Sequence, residues 1–332
     1  MSLGRRNAMA LGAGAIALAA TGGAVPPASA AETGQAERGP AVPSDAELAR
    51  SLPGGFTSRH AEVNGVRLHY VSGGSGEPLV LLPGWPQTWW EYRKVMPALA
   101  ARYRVIVVDL RGMGGSGKPA SGYDKKTMAR DVRELVRALG HDRVNIAGHD
   151  VGAMIAFSFA VNHPEATRRL ALLDVTHPDD SYYEFRMLPQ PGQAFFPWWF
   201  AFNQVQGLPE QLVSGRSRYL VDWIFDHLLV DKSAIGDRDR AVYAKAYSSP
   251  DAVRGGNSWY QAFGQDIEDH RTYGKVTAPT LGLAHSAFHP HMNQVLPTQA
   301  TDVRVAELTG TGHYFVEERP AAVIGHLTGF FG

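Results

Sequence analysis

The chain has 332 residues, and 44% of them are hydrophobic, so it is long enough to bury one large core or two small ones. Lys and Arg total 32, and so do Asp and Glu. This balance provides no basic field to attract nucleic acid, whereas a small neutral ligand is compatible with it. The absence of cysteine excludes disulfides, a thiol nucleophile and thiolate metal ligands.

The first thirty residues have the features of an export signal. Arg5 and Arg6 precede the run AMALGAGAIALAATGGAV, and Ala28-Ser29-Ala30 fits a signal-peptidase site. We therefore predict a signal peptide at 1–30 and a secreted or cell-envelope protein, with the paired arginines favouring twin-arginine export. The run is too short and too rich in Gly and Ala for an anchor, so we expect no membrane association after signal removal. A disordered N-terminus is the alternative.

Residues 31–55 are rich in Ala, Glu, Gly, Pro and Ser and are predicted to be a flexible leader. From residue 56 onward, strand and helix patterns alternate. HAEVNGVRLHYVSGG is typical of a hairpin around Asn64-Gly65. The runs PLVLLPG, YRVIVVD, RVNIAGH, RRLALLDV, PTLGLAH and VRVAELTG are typical of buried parallel strands. WWEYRKVMPALA and KKTMARDVRELVRALG have helical patterns between them, so the sequence predicts a doubly wound, mostly parallel α/β sheet.

The alternation stops between about 178 and 272. Aromatic helical patterns such as QAFFPWWFAFNQVQGLPEQLV and SRYLVDWIFDHLLV replace the strands. We predict that 178–272 form an inserted helical cap on a core made of 56–177 and 273–332. Such a cap would cover the carboxyl edge of the sheet, where open α/β sheets bind ligands.

The pentapeptide GHDVG, residues 148–152, places Asp150 between a strand pattern and an apolar helix pattern. Gly148 and Gly152 predict a tight strand-to-helix turn that exposes the central side chain above the sheet and requires small neighbours. The helix beginning near Val151 directs its positive end at the carboxylate and favours the ionised form. An ordinary helix cap is the alternative interpretation of Asp150.

Five motifs occur in one order: PGWPQTWWEYRKV at 83–95, DLRGMGGSGKP at 109–119, GHDVGAMIA at 148–156, LLD at 172–174 and GTGHYF at 310–315. On these motifs the chain, from about residue 56, resembles α/β-hydrolases of the epoxide hydrolase and dehalogenase branch. The resemblance implies an α/β-hydrolase fold, no cofactor and no metal. It also implies that Asp150 attacks an electrophilic carbon to give a covalent ester, which activated water then hydrolyses.

The resemblance assigns further roles. His313 corresponds to the water-activating base, and the backbone amides of Trp85 and Val151 to the oxyanion hole. The family usually has His where this chain has Pro83, which is expected to change local hydrogen bonding but to leave the amides in place. Many epoxide hydrolases carry the orienting acid after the penultimate strand, yet PTLGLAHSAFHP has no carboxylate. Asp174 matches the alternative site used by some dehalogenases, although it could also be a simple turn residue.

The cap motifs imply the group that stabilises the departing oxygen. Tyr260, in GNSWYQAF, matches the second cap tyrosine of epoxide hydrolases and is expected to supply the proton. Trp198 and Trp199 stand where the first tyrosine is expected. The indole N–H of one of them is expected to polarise the departing oxygen, and the alignment favours Trp199. The alternative is that both tryptophans only pack within the cap. The predicted substrate-binding residues are Trp85, Phe195, Phe202 and Phe288.

His285, His289 and His291 lie within seven residues and raise the alternative of a metal site. No acidic ligand is adjacent and the chemistry requires no metal, so we expect this loop to line the pocket mouth.

The sequence thus predicts an exported, cofactor-independent epoxide hydrolase that uses water to open a bulky, aromatic or polycyclic apolar epoxide, as in secondary metabolism. A monomer or homodimer is expected. The alternative is a dehalogenase with the same Asp, His and Asp. Dehalogenases usually have Trp or Arg after the nucleophile, whereas this chain has Val151, which cannot hold a halide. A silent ligand-binding relative would be expected to lose Asp150 or His313. A serine-type esterase is disfavoured because carboxylate attack on an ester gives an anhydride.

Overall fold

A computed structural model describes residues 42–189, 191 and 197–332. Within these residues, eight strands form one sheet in the order β1-β2-β4-β3-β5-β6-β7-β8. The strands are β1 Thr57–Val63, β2 Val66–Gly73, β3 Glu77–Leu82, β4 Tyr103–Val108, β5 Val144–His149, β6 Thr167–Leu173, β7 Thr280–His285 and β8 Val303–Leu308. Only the β1–β2 and β2–β4 pairs are antiparallel. The predicted doubly wound, mostly parallel sheet is confirmed.

The hairpin predicted at Asn64-Gly65 joins β1 to β2. Both turn residues have positive φ, 47° and 73°, and Asn and Gly tolerate this conformation better than other residues. The strands predicted further along the chain also form. In β3 to β7, short runs rich in Val, Ile and Leu fill positions buried on both faces of the sheet. Strand β8, at the edge of the sheet, is mostly half-buried or exposed, so its predicted burial is wrong.

The helices outside residues 178–272 flank the sheet. They are α1 Asp45–Ser51, α2 Met96–Ala100, α3 Lys125–Ala138, α4 Val151–Asn162 and, in the C-terminal part, α11 His289–Gln299, α12 Phe315–Glu318 and α13 Pro320–Phe331. Helix α3 buries one apolar face, which includes Met128 and Val132. The predicted helix WWEYRKVMPALA is divided into a 3-10 helix at Trp89–Lys94 and the short α2, in which Pro97 stands in the first turn.

The predicted flexible leader is wrong for its last part. Ser44 caps α1 through a capping box with Glu47, and Leu48 is buried in the core. Asp45 accepts a hydrogen bond from the indole N–H of Trp89 at 2.8 Å. Composition alone did not predict this helix because its single apolar contact face is less than two turns long. The predicted signal at 1–30 lies outside the described residues.

Between β6 and β7 the described residues form helices and no strand. The helices are α5 Trp198–Gln204, α6 Leu208–Val213, α7 Ser217–Leu228, α8 Asp237–Ala246, α9 Pro250–Gln261 and α10 Phe263–His270. Two glutamines join α5 to α9: Gln204 donates to the carbonyl of Tyr260 at 2.7 Å, and Gln261 donates to the carbonyl of Asn203 at 3.1 Å.

Helix α8 is joined to the core by a buried polar network. Glu317 of α12 accepts hydrogen bonds from Arg93 and from the Tyr243 hydroxyl, the latter at 2.6 Å. Asp239 accepts from Arg93 at 2.7 Å and from the indole of Trp90 at 2.8 Å.

No helix in the described ranges is long and apolar enough to cross a bilayer.

Candidate active site

Asp150 occupies the turn between β5 and α4 with φ 51° and ψ −124°, a conformation that is strained for a non-glycine residue. The turn closes because its neighbours have no side chain. A Cβ on Gly148 would lie 2.0 Å from the Gly152 carbonyl oxygen, and one on Gly152 would lie 2.2 Å from the Leu82 carbonyl oxygen. The Asp150 side chain makes no capping hydrogen bond to α4, which argues against the interpretation as an ordinary cap.

The Asp150 carboxylate has two distinct oxygens. Oδ1 accepts a hydrogen bond from the backbone N–H of Trp85 at 3.0 Å. Oδ2 lies 3.5 Å from Nε2 of His313, and both side chains retain 16% exposure. Burial would raise the pKa of Asp150, but the bond and charge of His313, the charge of His149 and the Trp85 amide together hold it below its usual value. The carboxylate is therefore ionised and still accessible at neutral pH.

His313 is held from its other side by Asp174. Its Nδ1 lies 2.6 Å from Oδ2 of Asp174, which follows β6 with φ 63° and is almost completely buried. Burial alone would lower the pKa of His313, but hydrogen bonds and charges of Asp150 and Asp174 raise it to about 10. Because a carboxylate only accepts, Nδ1 carries the proton and Nε2 faces Asp150.

His285, at the end of β7, is a second histidine on Asp174. Its backbone N–H donates to Oδ1 at 2.9 Å, and its Nδ1 lies 2.7 Å from Oδ1 and 2.8 Å from Oδ2. Burial would raise the pKa of Asp174, yet the charge and hydrogen bond of His285, with those of His313, lower it. The structure thus places an imidazole at the strand end where many relatives of the predicted branch carry the acid.

This geometry corrects the expectation for the three-histidine loop. His285 is buried against Asp174 and does not line the pocket mouth. His291 lies on α11, where its Nε2 is 3.4 Å from the Thr176 hydroxyl. Among the residues that the structure describes, no group of His, Asp and Glu has an arrangement that could hold a metal ion.

A second buried pair, not predicted, lies behind the site. Oε2 of Glu91 accepts from the Gly84 N–H at 2.8 Å, and Oε1 lies 3.1 Å from Nδ1 of His149. Nε2 of His149 lies 2.9 Å from the His313 carbonyl oxygen, which it reaches as a donor. Glu91 and His149 therefore fix both the turn before Trp85 and the loop that carries His313.

Pro83 leaves the Trp85 amide in place, as expected.

Tyr260 of α9 lies above this site. Its ring packs edge-on against Trp85 at 5.6 Å and against Phe200 at 5.4 Å. Burial, followed by the charge of Asp150, raises its pKa well above 10. The phenol thus remains protonated at neutral pH and can donate to a ligand.

Tyr182 is a second phenol near Asp150 that the sequence analysis did not single out. Burial, then the charges of Asp150 and Asp179, raise its pKa well above 10. Its ring packs on Phe263 at 5.3 Å, as does that of Tyr260 at 5.2 Å. The hydroxyl donates to the Thr176 carbonyl over a long 3.4 Å, so it is only weakly engaged.

The two adjacent tryptophans have different surroundings. Trp198 is half-buried, with its ring packed on Trp223 at 5.1 Å and Phe202 at 5.6 Å. Trp199 is buried and shares one face of α5 with Asn203. The surroundings of Trp198 are those of cap packing, and Trp199 is the indole on the inner face.

The predicted substrate-binding residues fall in different places. Trp85 and Phe202 line one pocket between the cap and the core, together with Pro86. Phe288 instead precedes α11 and packs on His291 at 4.9 Å. Phe195 lies outside the described residues.

Comparison with known proteins identifies the family. A family model described as alpha/beta hydrolase fold matches residues 77–209. A soluble epoxide hydrolase from a Corynebacterium species is 36% identical over 293 residues, which are 83% of this chain and 97% of that protein. The chain belongs to the α/β-hydrolase family. The family predicted from the five motifs is confirmed.

Other α/β-hydrolases of the same branch are similarly close. Fluoroacetate dehalogenase from a Burkholderia species is 34% identical over 286 residues, covering 80% of this chain and 90% of that protein. The structure of the epoxide hydrolase CorEH without ligand matches with a TM-score of 0.77 and 34% identity, over 83% of this chain and 98% of that one. This chain is therefore an α/β-hydrolase enzyme of the epoxide hydrolase and dehalogenase type.

Proposed function

We propose that this protein is an epoxide hydrolase that forms a covalent ester on Asp150. The observation that carries the proposal is the chain of contacts from Asp150 to His313 at 3.5 Å and on to Asp174 at 2.6 Å, beneath the protonated phenol of Tyr260. It provides a carboxylate nucleophile, a base and a proton donor for a neutral leaving oxygen. The similarity to named epoxide hydrolases supports it.

The first step forms the ester. Oδ2 of Asp150 attacks one carbon of the epoxide, the bond from that carbon to the ring oxygen breaks, and the resulting alkoxide takes the proton of Tyr260. Oδ1 becomes the ester carbonyl oxygen, which the Trp85 N–H already contacts. Trp199, the buried indole of the pair, is our candidate to assist at the departing oxygen, since Trp198 packs on Trp223 and Phe202.

The second step hydrolyses the ester. Alkylation removes the charge of Asp150, so the pKa of His313 falls from about 10 and the imidazole can lose its proton. That proton can restore the Tyr260 phenol. Neutral His313, oriented by Asp174, then takes a proton from water as the water oxygen attacks the ester carbon. The Trp85 and Val151 amides stabilise the oxyanion, and collapse releases the vicinal diol and Asp150.

Isotope labelling tests this function. After a single turnover of a bulky aryl epoxide in H₂¹⁸O, with enzyme in excess, the label should appear in the peptide containing Asp150, because water attacks the enzyme ester. Label found only in the diol would contradict the ester mechanism. No diol from any epoxide in a panel would contradict the function.

A dehalogenase is the second candidate, and the similarity to fluoroacetate dehalogenase favours it. Halide release from haloalkanes or fluoroacetate, without diol formation from epoxides, would establish it. Val151 argues against it because an aliphatic side chain after the nucleophile offers no donor to a halide.

The ring-lined cap favours a bulky aromatic or polycyclic epoxide, of the kind formed in secondary metabolism.

We also propose that residues 1–30 direct export through the twin-arginine route. Their support is the Arg5-Arg6 pair, the apolar run and the Ala28-Ser29-Ala30 site. Expressed in a bacterium, the full chain should appear outside the cytoplasm with its N-terminus after Ala30, and replacing both arginines by lysine should block this. Unprocessed cytoplasmic protein would contradict the proposal.

A further inference from the structure

Two asparagine side chains inside the cap lack hydrogen-bond partners in the described part of the chain. Asn203 of α5 is fully buried, and neither its Oδ1 nor its Nδ2 is bonded. Asn257 of α9 is only 3% exposed, and its Nδ2 is unbonded. Buried amides without partners are unfavourable, so such groups in a native protein call for an explanation such as a ligand or a bound water.

Both asparagines lie on the two helices that meet at the proposed proton donor. Asn257 precedes Tyr260 by three residues and therefore shares its side of α9. Asn203 is on the neighbouring helix, which the two glutamines join to α9: Gln261 donates to the Asn203 carbonyl, and Gln204 donates to the Tyr260 carbonyl. The contact between α5 and α9 thus joins the helix of Asn203 to the helix that carries Asn257 and Tyr260.

Asn257 also lines the pocket that reaches the oxyanion turn. Trp85 and Pro86 form one wall of this pocket, and Phe202 of α5 and Val253 of α9 are among its apolar cap residues. The backbone N–H of Trp85 also bonds Asp150, so this pocket and the nucleophile have one residue in common.

Two hydroxyl groups of the pocket have used their protons. Ser217 donates its hydroxyl proton to the Ala244 carbonyl at 2.6 Å, and Tyr247 donates to the Gln87 carbonyl at 2.9 Å. The buried Nδ2 of Asn257, in contrast, has no hydrogen-bond partner in the described part of the chain and is a donor that a ligand in this pocket can use. A buried donor in a largely apolar pocket fixes ligand orientation and selects for an acceptor.

We propose that Nδ2 of Asn257 binds an oxygen acceptor carried by the epoxide substrate, so that the enzyme selects oxygenated epoxides, with an ether, ketone or hydroxyl oxygen near the ring, over pure hydrocarbons. This rests on the proposed epoxide hydrolase function and names its substrate class.

The test uses matched pairs of epoxides: glycidyl ethers such as benzyl glycidyl ether, with the ether oxygen one, two or three bonds from the ring, and partners in which methylene replaces that oxygen. The wild type should prefer at least one ether by roughly tenfold or more in kcat/KM, because an unmet buried donor penalises the hydrocarbon. Asn257→Leu should abolish the preference.

Asn257→Asp, which keeps the size, should lose the preference as the pH is raised enough to ionise the buried carboxyl, because a carboxylate only accepts, and it remains informative if the leucine variant does not fold. Gln265→Leu on α10, an exposed position outside the pocket lining, is the matched control and should keep the wild-type ratio. Equal turnover of both members of every pair, or a preference that persists in both Asn257 variants, would overturn the subsite and leave the epoxide hydrolase function standing. Failure to turn over any epoxide would instead reject the function itself.

Discussion

His285 holds Asp174 with both its backbone N–H and its ring, at 2.9 and 2.7 Å, while Asp174 holds His313 at 2.6 Å. One buried carboxylate therefore serves two imidazoles. Each donor to Asp174 withdraws some of the negative charge that would otherwise stabilise protonated His313. His285 thus acts on the base through Asp174, because it moderates how strongly His313 retains a proton.

This sharing predicts a change in pH dependence. In His285→Leu, Asp174 loses a donor, so the pKa of His313 in the ester intermediate should rise. The rising limb of the ester-hydrolysis rate against pH, from single-turnover kinetics, should then move to higher pH by about one unit. His285→Asn, which keeps a donor close to the position of Nδ1, should move it less. Equal profiles for the wild type and the leucine variant would remove His285 from this role.

Replacing His313 should separate the two chemical steps. In His313→Gln the attack by Asp150 remains possible, but no base activates water, so substrate mass should accumulate on the peptide containing Asp150. Intact-protein and peptide mass spectrometry measure this. His227→Gln, at an exposed position in the cap, is the control and should turn over without accumulation. Wild-type turnover by His313→Gln would contradict the assignment.

Asp174→Asn tests the orienting acid. The amide keeps the shape but loses the charge that supports the protonated base, so ester hydrolysis should slow by orders of magnitude, to about 10⁻⁴ of the wild-type rate in comparable triads. Ester formation should be less affected, and circular dichroism should show an intact fold. Near-normal hydrolysis would transfer the role to another group.

Tyr260→Phe should distinguish the two leaving groups. Losing this donor should cost about 3 kcal/mol, roughly a hundredfold, in the rate of ester formation from epoxides. Haloalkanes need no proton and should be much less affected. Trp199→Phe should approach this loss, whereas Trp198→Phe should behave as a packing change. Tyr219→Phe, at a side chain 81% exposed, is the control. An unchanged epoxide rate in Tyr260→Phe would contradict the proposed donor.

The elevated pKa of His313 also has a consequence for stability. Its folded value of about 10 exceeds the ordinary 6.5, so its contribution to stability is fully present below 6.5 and is lost as the pH rises through about 10. The difference in unfolding free energy between wild type and His313→Gln should therefore shrink between about pH 6 and pH 10, as urea denaturation would measure. A difference independent of pH would contradict the paired imidazolium.

The sequence predicted the sheet, the β1–β2 hairpin and the turn at Asp150 because each depends on local patterns. The position of Asp174 beside His313 was inferred from a resemblance, since 139 residues separate them. His285 was misplaced because its partner lies on the neighbouring strand: β6 pairs with β7, which puts Asp174 and His285 at adjacent strand ends. Only the strand order reveals that adjacency. Glu91 and His149 were missed because they are far apart in the sequence: Glu91 is on the 3-10 helix at Trp89–Lys94, and His149 ends β5.

The network between α8 and the core has a consequence for how small molecules enter and leave. Lifting α8 away would separate Tyr243 from the buried Glu317 and would break the ion pair between Asp239 and the buried Arg93. Such an opening is strongly disfavoured compared with movements elsewhere in the cap. We therefore expect that substrate entry and product release do not use a gap between α8 and the core, and that this side of the molecule stays in place during turnover.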